Sequence, residues 1–242
     1  MLPQIQNPKL LFWNSYAAQF ARSEFIATFL DVGQGDSIFL EMPNGRNILI
    51  DGGKRNNVVV PFLNRKGINK LDMVILTHPH QDHLGGLINV LENFKFDEVL
   101  DSGQDTASRS YIRFLALIER NKIKYNIGRA GQVLNFGDVK GYVLAPYGEF
   151  IKGTASDLNN NSIVTKFVYG TSSMLFTGDA GFEEEEQIIS SGLAIRSDIL
   201  KVGHHGSATS TGNDFLEKVS PKAAIISVGS NNNYKHPHFE TL

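Results

Sequence analysis

The fold is decided by the stretch Thr77-His78-Pro79-His80-Gln81-Asp82-His83-Leu84-Gly85-Gly86, which holds three histidines and one aspartate within six positions. The apolar run before it, 71–76, is typical of a buried strand, and residues 84–94 carry apolar side chains at helical spacing. The polar side chains therefore lie where a strand ends and a helix begins, a junction that also offers free backbone N–H groups. Clustered imidazole and carboxylate groups are ligands for zinc, manganese or iron. The alternative, a helix cap at Asp82 in a polar loop, leaves the three histidines unexplained.

Composition is that of an ordinary globular protein. Of 242 residues, 41% are apolar and 20% are charged, and the chain is long enough to bury a substantial core. A net charge of −2 gives no support for a broad phosphate-binding surface. Because the chain has no cysteine, a metal site must be built from nitrogen and oxygen ligands. No apolar run approaches the roughly 18 residues of a membrane span, so we predict no membrane-spanning segment in this chain.

Two segments are predicted along the chain. Residues 1–23 show no clear period, and we interpret them as a linker or leader before one hydrolase-like domain over residues 24–242. Residues 31–36 form a glycine-rich turn, but a strand follows it and not the helix that a dinucleotide-binding turn requires. The chain ends at Leu242 where a helical pattern begins, so we expect further elements beyond this end.

Polar clusters follow short apolar strands at several points. Asp51, the histidines of residues 78–83, Asp179 and the pair His204-His205 all occupy such positions. In a layered α/β fold, strand ends on one edge form the usual ligand crevice, so we expect these groups to converge. The four glutamates at 183–186 are interpreted as the solvated first turn of a helix, favoured by the helix dipole.

The motif His-x-His-x-Asp-His at 78–83 resembles the signature of the metallo-β-lactamase fold, a family of mostly binuclear metal hydrolases. The resemblance implies an α/β protein, a four-layer αββα sandwich, with two divalent metal ions (manganese or zinc) at one edge between the sheets. It implies the metal ligands His78, His80, Asp82, His83, Asp179 and His204. Asp179 would bridge the two ions, and Asp51 would support the motif loop from behind the ligands.

The last ligand is either His204 or His205. We favour His204 as the ligand and His205 as a neighbour that handles protons; since alternate residues of a strand face opposite ways, both assignments stay open. The family's third histidine is missing, because no histidine lies between His83 and Asp179. An asparagine or Asp157 would have to replace it, and we expect Asn159 and Asn161 beside the ligands. Loss of an imidazole moves the preference of the site from zinc towards manganese.

Five segments of the chain are together similar to ComEC-type competence proteins. They are the glycine-rich turn, the Asp-Gly-Gly after residue 50, the Asn-Asn-x-Ser at 159–162, the segment 200–207 and the closing Tyr234-x-His236-Pro237. The similarity covers about residues 25–242. Members of that family are membrane DNA-uptake channels that carry such a domain at the C-terminal end. The resemblance implies a soluble domain of a cell-membrane protein, on its extracytoplasmic face, whose partners are single-stranded DNA and the remaining channel.

The implied activity is a metal-dependent nuclease that degrades the DNA strand not taken into the cell. The reacting groups would be Asp82, Asp179 and His205, and the phosphate contacts Lys201, Ser207, Tyr234 and His236. For His236, a position in a polar surface loop without a role in substrate binding is an equally good interpretation. Two other functions stay open: a module that guides DNA without cutting it, and a small-molecule hydrolase of the lactonase or phosphodiesterase kind.

Overall fold

Two six-stranded sheets form the fold in the computed structural model, which describes residues 24–54 and 58–242. The predicted linker, residues 1–23, lies outside the described residues. The first sheet has its strands in chain order: β1 (Ile26–Phe29), β2 (Ile38–Glu41), β3 (Asn47–Ile50), β4 (Lys70–Leu76), β5 (Lys95–Asp101) and β6 (Lys124–Ile127). Strands β1 to β3 form an antiparallel meander, and β3 to β6 run parallel.

The second sheet repeats this plan. Its strands are β7 (Val133–Phe136), β8 (Val139–Ala145), β9 (Val164–Tyr169), β10 (Ser172–Phe176), β11 (Ile199–Lys201) and β12 (Ala223–Ile225). Strands β7 to β10 are antiparallel neighbours, and β10 to β12 are parallel. Each half therefore ends in parallel strands, whose carboxyl ends are the positions at which α/β folds build ligand sites.

Helices cover the outer face of each sheet. They are α1 (Val59–Arg65), α2 (Gln81–Asn93), α3 (Arg109–Arg120), α4 (Phe182–Ser190) and α5 (Asn213–Val219). In α3 the side chains of Phe114, Leu117 and Ile118 are buried at helical spacing, which seats this face on the sheet. None of the helices in the described part of the chain has both the length and the apolar character needed to cross a bilayer.

The core lies in three layers, and β3 shows how the sequence creates them. Because successive strand residues face opposite ways, Ile48 and Ile50 join the core between the two sheets while Leu49 joins the core beneath α1 to α3. Phe167 and Phe176 fill the layer between the sheets from the other side. A third core, which includes Leu200 and Phe215, packs the second sheet against α4 and α5. The four-layer αββα sandwich is confirmed.

Strand β6 was not predicted from the sequence. It pairs with β5 at the sheet edge, and its Tyr125 and Ile127 are substantially exposed. Because an edge strand buries few side chains, its sequence shows only a weak hydrophobic pattern. Strand β6 is therefore recognised by its backbone pairing with β5 and not by its sequence.

Candidate metal centre

The site is built where β3, β4, β10 and β11 end at one edge of the sandwich. Asp51 directly follows β3, His78 follows β4, and Asp179 and His205 follow β10 and β11. The two halves approach closely here: a Cβ at Gly178, whose φ is +53°, would lie 2.9 Å from the Cβ of Thr77. Glycine both permits this left-handed conformation and leaves room for the β4 end.

One cluster joins His78, His83 and Asp179. All three side chains are buried, and one ligand atom of each lies within 4.8 Å of the others. The Nε2 atom of His83 is 3.2 Å from Asp179 Oδ1, and the Nε2 atom of His78 is 3.7 Å from Asp179 Oδ2. The half-buried ring of His80 adjoins this cluster, with its Nδ1 atom 3.0 Å from His78 Nε2.

A second cluster joins Asp82, His83 and His205. The Nε2 atom of His205 lies 3.6 Å from Asp82 Oδ2 and 3.5 Å from Asp179 Oδ2, so Asp179 borders both clusters. On the other side of the ring, Nδ1 lies 3.0 Å from the carbonyl oxygen of Ser227. Because a carbonyl only accepts, this contact assigns the proton to Nδ1 and leaves Nε2 facing the carboxylates.

His204 is in neither cluster. Its Nε2 atom is 3.9 Å from Asp179, and its ring is partly exposed at the cavity wall. Both His204 and His205 have positive φ, an uncommon conformation for residues with a Cβ that is often found at functional sites. The geometry therefore favours His205 as the metal-facing ring, which reverses the preference that we drew from the sequence.

The residues fit divalent ions. Ten buried side-chain atoms lack a hydrogen-bond partner among the described residues, and four of them lie together at the ligand clusters: His83 Nε2, His205 Nε2, Asp179 Oδ1 and Asp36 Oδ1. Each such orphaned atom costs about 1–3 kcal/mol, so their concentration at one point requires an explanation. An ion held by nitrogen and oxygen donors supplies one.

Asp51 lies directly behind His83. Its Oδ1 accepts a hydrogen bond from the Thr77 backbone N–H at 2.8 Å, and its Oδ2 is 2.7 Å from His83 Nδ1. This contact turns His83 Nε2 towards Asp179. Burial alone would lower the pKa of His83, but the carboxylates of Asp179 and Asp51 raise it well above its usual range.

Asp36 is a site residue that the sequence reasoning missed. It closes the glycine-rich turn, is buried, and has Oδ1 3.4 Å from His205 Nδ1 and Oδ2 2.7 Å from Lys201 Nζ. Although burial would raise the pKa of Asp36, Lys201 and His205 lower it overall. The sequence feature that could have identified Asp36 is a carboxylate at the end of a turn between two apolar strands.

The same ion pair corrects the role predicted for Lys201. Lys201 is 1% exposed, and its ammonium group donates to the Val202 carbonyl as well as pairing with Asp36, so it cannot reach a phosphate in the cavity. Ser207 is also turned away: its hydroxyl lies 2.9 Å from the hydroxyl of Thr209 and closes the loop.

The asparagine loop supplies one group to the site. The Nδ2 atom of Asn159 lies 3.3 Å from His204 Nε2, while its Oδ1 is buried without a hydrogen-bond partner among the described residues. Asp157 instead accepts from the Gly153 and Thr154 backbone N–H groups, away from the clusters. Asn161 bonds to loop backbone at Ile151, so it shapes the loop and does not contact the histidines.

The sequence predicts that all four glutamates of α4 face solvent, and this prediction is wrong for two of them. Glu184 and Glu185 are 1% and 2% exposed, because the first turn of α4 packs against two site loops whose backbone N–H groups need acceptors. Glu184 accepts from Ser162, and Glu185 accepts from Thr211 and Gly212. Burial raises the pKa of Glu184 well above its usual range and that of Glu185 to about 7.

An open cavity of about 410 Å³ gives access to the clusters. Its walls are formed by Gln34, His80, Gln81, Asp82, Ser156, Asn159, Asp179, His204, His205, Tyr234 and His236. Two of the four predicted phosphate contacts, Tyr234 and His236, therefore line the cavity. Within the described ranges, no lysine or arginine does.

Comparisons with known proteins agree with this architecture. The chain is 34% identical to ComE operon protein 3 of Bacillus subtilis over 239 residues, an alignment that covers 91% of this chain and 30% of that protein. It is 29% identical to competence protein ComA of Neisseria gonorrhoeae, over 89% of this chain and 28% of that protein. The chain thus spans under a third of the length of these relatives. They confirm the resemblance to competence proteins.

A solved structure shows the same fold at low sequence identity. The metallo-beta-lactamase fold protein YhfI of Bacillus subtilis is 14% identical, with a TM-score of 0.54 over 88% of this chain and 90% of YhfI. The family model of the metallo-beta-lactamase superfamily matches residues 30–230, which include every strand from β2 to β12 and both ligand clusters. With its two sheets meeting at a His/Asp centre, the chain belongs to the metallo-beta-lactamase superfamily.

Proposed function

We propose that this chain is a metal-dependent nuclease that hydrolyses the phosphodiester bonds of DNA. The observation that carries the proposal is Asp179, which borders two ligand clusters at the floor of an open cavity. Two-ion centres are the usual solution for phosphodiester cleavage, because they contact both the attacking and the departing oxygen. The competence proteins among the relatives favour DNA as the substrate.

The ligands divide into two sets that share Asp179. His78, His80 and Asp179 would hold one ion, and Asp82, His205 and Asp179 the other; His83, which belongs to both clusters, is assigned to the second ion. The first set has one imidazole fewer than the family pattern, and the unpartnered Oδ1 of Asn159 is the oxygen available to it. Oxygen in place of nitrogen suits manganese better than zinc.

Divalent ions at such a centre lower the pKa of a bound water and stabilise charge on the reacting phosphate. The protein's part is to fix the ligands: Asp51 orients His83, and the Ser227 carbonyl orients His205. His204 borders the cavity, where it can contact the phosphate. Burial lowers the pKa of His204 more than the Asp179 carboxylate raises it, so the ring is neutral near pH 7.

The biological role belongs to the same proposal. We assign the chain to a longer competence protein in which it degrades the DNA strand that is not taken up, on the extracytoplasmic side. The relatives' names and their greater length support this assignment.

The test is incubation of purified protein with single- and double-stranded DNA and Mn²⁺, beside an Asp179→Ala variant whose folding is verified by circular dichroism. We expect cleavage by the native protein alone. Equal cleavage by both would point to a contaminating nuclease. Metal uptake without cleavage of DNA would contradict the proposal: DNA binding alone would favour a guiding module, and hydrolysis of bis(4-nitrophenyl) phosphate alone a small-molecule hydrolase.

A further inference from the structure

The segment from Gly229 to His236 beside the cavity is internally fixed by one asparagine. The Oδ1 atom of Asn232 accepts from the Tyr234 N–H at 3.1 Å and from the His236 N–H at 2.9 Å. Its Nδ2 atom donates to the carbonyl oxygens of Gly229 and His236 at 2.8 and 2.7 Å. All four side-chain hydrogen bonds go to the backbone, so the segment that carries Tyr234 and His236 is held in one backbone conformation.

This segment is also attached to the loop that carries the histidine pair. The Nδ1 atom of His238 accepts from the Ala208 N–H at 2.9 Å, and its Nε2 atom donates to the Tyr234 carbonyl at 3.1 Å. The His238 N–H donates to the Gly206 carbonyl at 2.8 Å. Tyr234 is therefore positioned relative to the metal centre by a chain of direct hydrogen bonds.

The rings on this segment form an aromatic wall. Tyr234 stacks on His236 with ring centroids 5.5 Å apart and planes 26° apart, and His236 meets the His204 ring edge-on at 5.5 Å. Tyr234 nevertheless remains 63% exposed. It presents a large aromatic surface, backed by His236, at the rim of the cavity.

The charge around the cavity indicates how a substrate is held. Proteins that bind nucleic acid through the backbone neutralise phosphates with lysine and arginine, yet neither residue lines this cavity in the described part of the chain. Lys201, the cation closest in sequence to the His204-His205 pair, forms a buried salt bridge with Asp36. Phosphate contacts are then left to the metal centre and to neutral groups of the wall such as His204, and the exposed face of Tyr234 is available to a base. Every base has a π-face, so stacking requires an unpaired base but no particular sequence.

We propose that Tyr234, backed by His236, is a stacking subsite for an unpaired nucleobase next to the scissile phosphate, and that it selects single-stranded DNA. The subsite rests on the proposed nuclease function and deepens it. It assigns to Tyr234 a contact with the base, in place of the phosphate contact expected from the sequence.

The test compares Tyr234→Ala, Tyr234→Phe and Tyr234→Trp on a short single-stranded oligonucleotide with Mn²⁺. Loss of one stacked base is worth about 5- to 100-fold in affinity, so Tyr234→Ala should raise KM by that factor with little change in kcat. The Phe and Trp variants should keep a low KM. Tyr142→Ala, which removes a half-exposed tyrosine from the far side of the second sheet, is the matched control and should behave as native.

A second substrate distinguishes stacking from other contacts. On oligonucleotides with abasic residues at every position, native protein and Tyr234→Ala should have the same, raised KM. An unchanged KM for Tyr234→Ala on normal DNA would overturn the subsite, and a Tyr234→Phe variant as impaired as Tyr234→Ala would assign the contact to the hydroxyl instead.

Binding separates this inference from the nuclease proposal. Fluorescence anisotropy of a labelled single strand with nuclease-resistant phosphorothioate linkages, with Mn²⁺ present, reports affinity separately from cleavage of ordinary DNA. Tyr234-dependent binding without cleavage would retain the subsite and reject the nuclease. Cleavage with binding that is indifferent to Tyr234 would reject the subsite alone.

Discussion

The ammonium group of Lys201 lies 2.7 Å from the carboxylate of Asp36, and both side chains are sealed from solvent. Such a pair offsets the cost of burying either charge only while both members are present. Lys201→Met should therefore lower the free energy of unfolding by up to about 3–5 kcal/mol, since it leaves the buried Asp36 carboxylate with His205 as its one remaining ion-pair partner among the described residues. Urea denaturation of metal-free protein measures this change.

The double variant Asp36→Asn/Lys201→Met is the control for that prediction. It removes both charges, so it should regain much of the stability lost by Lys201→Met alone. If Lys201→Met were as stable as the native protein, the Asp36–Lys201 pair would have to be accessible to solvent. A double variant no better than the single would assign the loss to packing of the lysine stem.

Asp51 should control metal affinity without contacting the metal. Its carboxylate holds His83 Nδ1 at 2.7 Å, and groups that orient a ligating histidine are typically worth about 10- to 100-fold in metal affinity. We expect Asp51→Asn to weaken Mn²⁺ binding by that factor in calorimetric titration. Asp97→Asn, which alters an exposed ion pair with Lys70, is the matched control. Unchanged Mn²⁺ affinity in Asp51→Asn would show that the Thr77 contacts alone position the motif loop.

Local sequence pattern predicts the architecture and part of the site. The architecture follows from alternation, as in β3, where the residues at 48–50 divide between two cores. Asp51, His78 and Asp179 converge because each of them follows a strand that ends at this edge of the sandwich. These inferences need only the side-chain period and the rule that strand ends meet at one edge.

The parts that the sequence could not predict depend on long-range packing. The loop after β11 twists through two left-handed residues, so the period of a strand cannot say which of His204 and His205 faces the metal. Lys201 ends a strand and looked available to phosphate, but its partner Asp36 is distant in sequence. Glu184 and Glu185 were assigned to solvent for the same reason: the loops that bury them lie elsewhere in the chain.

Glu185 should make the stability of the protein depend on pH. Burial raises its pKa from 4.5 to about 7 in the folded state, so the folded protein binds more protons than the unfolded chain between these values. Its contribution is therefore fully present below pH 4.5 and is lost as the pH rises through 7. The loss amounts to about 3 kcal/mol, from about 1.4 kcal/mol for each unit of pKa.

The variant Glu185→Gln isolates this effect. Gln cannot ionise, so the difference in unfolding free energy between native protein and variant should move by about 3 kcal/mol in favour of the variant between pH 4.5 and pH 8. Any fixed loss from an imperfect amide contact with Thr211 or Gly212 cancels, because only the change with pH is compared. Contributions of the site histidines cancel in the same way, whereas the variant also removes the Glu185 charge that raises the pKa of Glu184. Parallel curves for the two proteins would refute the prediction.

Asn159 offers the sharpest test of why the first ligand set differs from the family pattern. Its side chain contacts the His204 ring, and its Oδ1 is the unpartnered oxygen beside the cluster. Asn159→His would return an imidazole to a set that otherwise has two, and borderline-soft Zn²⁺ gains more from nitrogen than Mn²⁺ does. We expect the ratio of zinc to manganese affinity to rise at least about tenfold in competition titrations, which corresponds to about 1.4 kcal/mol. Asn93→His, at an exposed position of α2, is the control for adventitious binding by an added histidine.

A ratio that stays at the native value in Asn159→His would mean that residue 159 does not contribute to the metal centre. The first ion would then have to be held by His78, His80 and Asp179 alone.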